Sequence, residues 1–149
     1  MSEYKRILRN LANRNNFNVL NMNRGGANKV RLVYKKNKTR NTFVNVNAPN
    51  NKNNMYISYG KTHPNLRRQG IGTRMRALVT LAAKLAGYKR MHQYSMYVNK
   101  NQMYEKTPPS SRIMNKLGFR KNNIFSNKSV SYVLNFKNLN NSKLRKYAR

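Results

Sequence analysis

The chain has 149 residues, with 32 Lys and Arg against 2 Asp and Glu, so its formal net charge is +30. It has no Cys, which excludes a disulfide scaffold, a thiolate nucleophile and a Cys-based zinc site. The longest mainly apolar stretch, residues 77–86, contains Lys84 and is too short to span a bilayer, and the first ten residues lack the apolar core of a secretory signal.

Leu, Ile, Val and Phe make up about a fifth of the chain, close to the level at which so high a charge predicts disorder. Their periodicity decides for folding. Tyr4, Ile7, Leu8, Leu11 and Ala12 form one stripe of an amphipathic helix over residues 2–13, with Ser2 as N-cap and Glu3 in the first turn. Period-2 alternation then predicts strands: residues 17–22, ended by Gly25-Gly26; Val30, Leu32 and Tyr34; Thr42, Val44 and Val46; and a further strand anchored by Tyr56 and Ile57. Separated by Asn, Gly and Pro, these read as an antiparallel meander. Met75, Leu78, Val79, Ala82, Leu85 and Ala86 predict a long helix, with Gly87 where a terminating glycine belongs. A buried strand over 91–98 follows, then a short helix over 110–117 stopped by Gly118. Two last strands are expected over 123–125 and 129–137. One α+β domain over residues 1–137 is expected, followed by a basic tail, 138–149, that is either helical or disordered.

Between the meander and the long helix lies His63-Pro64-Asn65-Leu66-Arg67-Arg68-Gln69-Gly70-Ile71-Gly72-Thr73. Two glycines one residue apart, opening straight into a helix, let the backbone approach an anion closely. The first-turn N–H groups and the helix dipole then face that anion, and Arg67 and Arg68 add charge. The motif is short, and glycine also simply ends strands and starts helices.

Its context adds specificity. Strand, Arg67-x-x-Gly70-x-Gly72, helix, strand, short helix and then Met114-Asn115-Lys116-Leu117-Gly118-Phe119 resembles the GNAT superfamily of N-acetyltransferases over about residues 29–137. The resemblance implies a mixed, mostly antiparallel central sheet flanked by helices. It also implies acetyl-CoA or CoA as cofactor, with no metal. Arg67, Arg68, Gln69, Gly70, Ile71, Gly72 and Thr73 would line the pyrophosphate site, and the strand around 57–62 would pair with the pantetheine arm. Catalytic groups depart from the family pattern. Met114 stands where many members carry a tyrosine acid, Thr107 where an Asn is common, and no Asp or Glu occurs from residue 4 to 104. The remaining acid–base candidates are His63, Tyr97 and Glu105, with His92, Tyr56, Tyr59 and Tyr94 behind them. A lone glutamate among cations reads first as a counter-charge, and strand tyrosines read first as packing.

The charge points to a polyanion. Neutralising phosphates releases counterions and makes binding strong, salt-dependent and largely indifferent to sequence. Cations are spread over several elements: Lys5, Arg6 and Arg9; Lys35, Lys36 and Arg40; Lys89 and Arg90; Arg120 and Lys121; Lys143, Arg145 and Lys146. That distribution suits a protein embedded in nucleic acid, DNA or RNA, better than a sequence reader with one basic element. The expected setting is a nucleoprotein particle such as a viral core or an organellar ribosome, not a membrane and not the secreted space. On this reading the chain is a nucleic-acid-binding or packaging protein on a GNAT-like fold, with acetyl-CoA binding as a trace of ancestry or a means of regulation. The alternative is an active N-acetyltransferase whose amine acceptor is associated with nucleic acid.

Overall fold

A computed structural model describes residues 2–22, 28–36, 42–63, 66, 69–96, 111–125 and 129–149. The first helix, α1 (Glu3–Asn13), begins where the Ser2 side chain accepts a hydrogen bond from the Lys5 N–H, and it buries Tyr4, Leu8 and Ala12. The meander follows as β1 (Phe17–Asn21), β2 (Lys29–Tyr34), β3 (Phe43–Asn47) and β4 (Asn54–Lys61). The long helix α2 (Ile71–Leu85) leads to β5 (Arg90–Met96). Then come the short helix α3 (Ser111–Lys116), the hairpin β6 (Arg120–Phe125) and β7 (Ser129–Asn135), and a last helix, α4 (Asn141–Ala148).

The seven strands form one sheet in the order β1-β2-β3-β4-β5-β7-β6. All neighbours are antiparallel except β4 and β5, which α2 connects as a parallel crossover. Strand alternation sorts the two faces. Val30, Leu32, Val44, Val46, Met55, Ile57 and Met91 are fully buried beneath α2, while their strand neighbours Arg31, Asn45, Tyr56 and His92 lie half-exposed on the opposite face. Helices α1 and α4 both pack on α2; the Tyr4 hydroxyl donates to the Val79 carbonyl at 3.3 Å. Helix α2 ends as its stripe predicts, with Gly87 at φ 93° and the Tyr88 N–H bonded to the Ala83 carbonyl.

Some boundaries differ from the expected ones. Strand β6 starts at Arg120 rather than 123, because Arg120 and Lys121 pair with Val133 and Tyr132 of β7 despite their charge. Strand β7 stops at Asn135, whose side chain accepts from the Lys137 N–H and turns residues 136–138 into a 3₁₀ turn. The C-terminal segment is helical and is part of the core: Leu144 is fully buried and Ala148 nearly so. Asn140 caps this helix, and Lys84 of α2 donates to the Leu139 carbonyl. Its Lys-Arg content masked a two-residue apolar stripe at i, i+4.

Candidate functional site

Strands β4 and β5 pair only from Asn54↔Arg90 to Ile57↔Gln93. Beyond that point β4 continues to Lys61 bonded to β3, and β5 continues to Met96 bonded to β7, so the two part company. A bulge at Ser58, between the pairs Val46↔Ile57 and Asn45↔Tyr59, marks the parting, and the Ser58 hydroxyl donates to the Asn45 carbonyl at 3.3 Å. Among the described residues, the β4 backbone of residues 58–61 therefore has no strand partner on its β5 side. Gaps of this kind, at the carboxyl ends of parallel strands, are where open α/β sheets take ligands.

The N-terminus of α2 stands at the same end. Gly70 is its N-cap, with φ 76° and no side-chain cap, so the N–H groups of residues 71–73 lack intrahelical acceptors. A Cβ added at Gly70 would meet nothing within 4 Å, so the space in front of this turn is open. Gly72 faces inward instead: a Cβ there would lie 3.1 Å from the Thr62 hydroxyl and 3.3 Å from Ile113. The first glycine thus gives the turn and open access, and the second lets α2 approach β4 and α3. Gln69 is exposed, Thr73 half-exposed and Ile71 buried, so Ile71 can offer only its backbone. Arg67 and Arg68 lie outside the described residues.

Arg76 was not singled out by sequence. It is 7 % exposed, donates from Nε to Gln93 Oε1 at 2.9 Å and from Nη1 to the Gly72 carbonyl at 3.3 Å, and has no carboxylate among the described residues. Its Nη2 would sit 2.6 Å from a Cβ at Gly60, against the unpaired part of β4. Burial pushes its pKa down to about 10. The signal was present in the spacing: Gly72, Arg76 and Thr80 recur every four residues along the sheet-facing side of α2, all buried.

The acid–base candidates are scattered. His63 follows β4, and its backbone N–H is held by the Thr42 hydroxyl at 2.9 Å, near the start of the loop. His92 does not approach the α2 N-terminus: it stacks on Tyr56, centroids 5.2 Å apart, on the face of the sheet away from α2. Tyr59 shares that outer face and is exposed, whereas Met114 is fully buried. Tyr94 is in β5, and Tyr97 and Glu105 lie outside the described residues. Burial, then the Arg90 charge, hold the His92 pKa below its ordinary 6.5, while its Nε2 lies 2.7 Å from Asn54 Oδ1. The unfolded chain therefore binds the proton more readily. The His92 contribution to stability is present above pH 6.5 and is lost as pH falls from there through the folded value. Proton NMR is expected to place the His92 titration below that of a free histidine and to move it upward in Arg90→Ala. An unshifted midpoint would contradict this environment.

The basic residues stand on many sides. Lys5, Arg6 and Arg9 are on α1, Lys35 and Lys36 follow β2, Lys89 and Arg90 open β5, Arg120 and Lys121 open β6, and Lys143, Arg145 and Lys146 are on α4. All are exposed or half-exposed, and Arg40 lies outside the described residues. A cleft of about 500 Å³ at the opposite end of α2 from Gly70 is lined by Lys84, Tyr88, Lys89, Arg90, Phe136 and Lys137, with no acid among its walls.

By sequence, no family model and no curated protein matches the chain. Solved structures do match it. A GNAT-family acetyltransferase from Elizabethkingia anophelis with acetyl-CoA bound is similar at 15% identity and TM-score 0.56, over 80% of this chain and 98% of that one. An aminoglycoside 6'-N-acetyltransferase complexed with coenzyme A matches at 9% identity and TM-score 0.58, over 73% of each chain. An acetyltransferase from Bacillus cereus matches at 16% and 0.53, over 72% of each. At such identities the likeness is one of architecture, and with the strand order and the parted β4–β5 pair it supports a single conclusion: this chain has the GNAT fold.

Proposed function

We propose that the chain binds a CoA thioester between β4 and the N-terminus of α2 and transfers its acetyl group to an amine on a nucleic-acid-associated substrate. The observation that carries this reading is the uncapped α2 N-terminus behind Gly70, open in front and set beside the β4 segment that has no β5 partner. The N–H groups of residues 71–73 would hold the pyrophosphate, and the β4 backbone over 58–61 would bond an extended amide arm. Bound there, CoA supplies an activated acyl group. The protein's part is then positioning and exclusion of water, since no carboxylate base stands on the described strands. Structures with CoA or acetyl-CoA bound are among those sharing the fold, which supports the cofactor class.

Gly70→Glu tests the assignment. The carboxylate would project into the open space and repel a phosphate, while the left-handed φ adds a local penalty of roughly 1 kcal/mol. Acetyl-CoA turnover with basic acceptors is expected to disappear in this variant; turnover that survives removes the loop from the cofactor site.

The charge favours a second reading, a nucleic-acid-binding or packaging protein in which the loop is ancestral. With +30 on the chain, a cationic amine is repelled and a polyanion drawn in. Sequence-indifferent binding with a steep salt slope is expected.

A further inference from the structure

The helices described above gather around α2 on one side of the sheet, and the other face of β2–β5 carries a distinct set of side chains. On β3 and β4, Phe43 and Tyr59 meet with ring centroids 5.8 Å apart. Tyr59 is 56% exposed, the most open large hydrophobic side chain among the described residues. Arg31 of β2 lies over the Phe43 ring, its guanidinium carbon 3.9 Å from the centroid, and donates to Asn45 Oδ1 at 2.8 Å. Farther along β4, Tyr56 stacks on His92 with an interplanar angle of 21°. The two aromatic pairs are three residues apart on β4, roughly 10 Å at the usual strand rise. Lys61, Arg90 and Arg120 are exposed at the margins of the same face. Among the described residues no acid is there: Glu3, on α1, is bonded to Lys52.

A face that needed only solubility would carry mixed charges and few rings. This one offers π-faces in a row, cations at its margins and amide side chains between, which is the chemistry that recognises unpaired bases joined by phosphates. A duplex hides its base faces and would meet only the charge. We propose that the face of β2–β5 turned away from α2 binds single-stranded nucleic acid, with bases stacking on Tyr59 and on the Tyr56–His92 pair and phosphates held by the flanking Lys and Arg. This deepens the nucleic-acid reading above and rests on it. Base–aromatic stacking is sequence-tolerant, so the site adds preference for strandedness without preference for sequence.

Fluorescence anisotropy with a labelled oligo-dT of about 12 nucleotides, within the site sizes common for such surfaces, and with a duplex of equal length tests the proposal on the full chain. The single strand is expected to bind more tightly than the duplex at moderate salt. Tyr59→Ala is expected to weaken the single strand about tenfold, to leave the duplex unchanged and to leave the slope of affinity against salt unaltered, because no cation is lost. Tyr59 is largely exposed, so the variant should fold, and Tyr59→Trp, which restores a ring, should recover the affinity. Single-strand affinity that is the same in wild type, Tyr59→Ala and Tyr59→Trp overturns the stacking face while leaving nucleic-acid binding intact. So does duplex affinity equal to or above that of the single strand. No binding of either probe by the wild type at low salt overturns both this proposal and the nucleic-acid reading.

Discussion

Removing residues 139–149 is expected to lower the melting temperature by roughly 15 °C or to leave the chain unfolded. The segment supplies Leu144 and Ala148 to the core, with Leu139 and Tyr147 partly buried against it. Burying side chains of these sizes stabilises by about 5 kcal/mol in total, a large part of what a domain of this size possesses. The loss would also bare the side of α2 on which α4 packs and free Lys84 from the Leu139 carbonyl. A circular-dichroism melt of the truncated chain measures the effect; a midpoint equal to that of the full chain would show that the last helix is an appendage.

The second large effect concerns Arg76 and Gln93. Burial penalises the charged form of the guanidinium and pushes its pKa down to about 10, and its hydrogen bonds to Gln93 and the Gly72 carbonyl offset that penalty only in part. Gln93→Leu takes away the acceptor of Nε and leaves a buried cation less compensated, which is expected to cost about 3 kcal/mol. Arg76→Met alone removes the charge but also takes from the Gln93 amide oxygen the Nε donor it accepts from. The double variant Arg76→Met/Gln93→Leu removes both and is expected to be at least as stable as the wild type, so the two changes should be strongly non-additive. Denaturant melts of the four proteins measure the coupling. Additive effects would mean that the pair does not interact as the geometry states. The Arg76 charge also lies against the unpaired part of β4, so the stabilised double variant is expected to lose affinity for CoA, a cost common where stability is gained beside a site.

Much of the fold was legible because the chain repeats its apolar residues with the period of the element that buries them. The α1 stripe, the α2 stripe with Gly87 behind it, and the alternation in β2 and β3 each depend on neighbours within a few residues. The turn into α2 was legible for the same reason: Gly70 and Gly72 are local requirements of a turn and a close approach. What was not legible depends on partners far apart in the chain. The parting of β4 from β5 is a matter of which residues fail to pair, and periodicity does not record it. An arginine within an apolar run is most often solvated, and only the proximity of Gly60 and Gln93 shows that Arg76 is enclosed. His92, a candidate by residue type, is turned by strand alternation to the face away from α2, next to Tyr56. Lys143, Arg145 and Lys146 disguised the tail as an arm, although Leu144 and Ala148 between and beyond them anchor it.

The central claim, a CoA site between β4 and the α2 N-terminus, is tested most directly by calorimetric titration of the wild-type chain with CoA. One site per chain with a dissociation constant in the micromolar range is the predicted result. No heat at millimolar CoA would contradict it, and would leave the GNAT fold here as a scaffold for the charge.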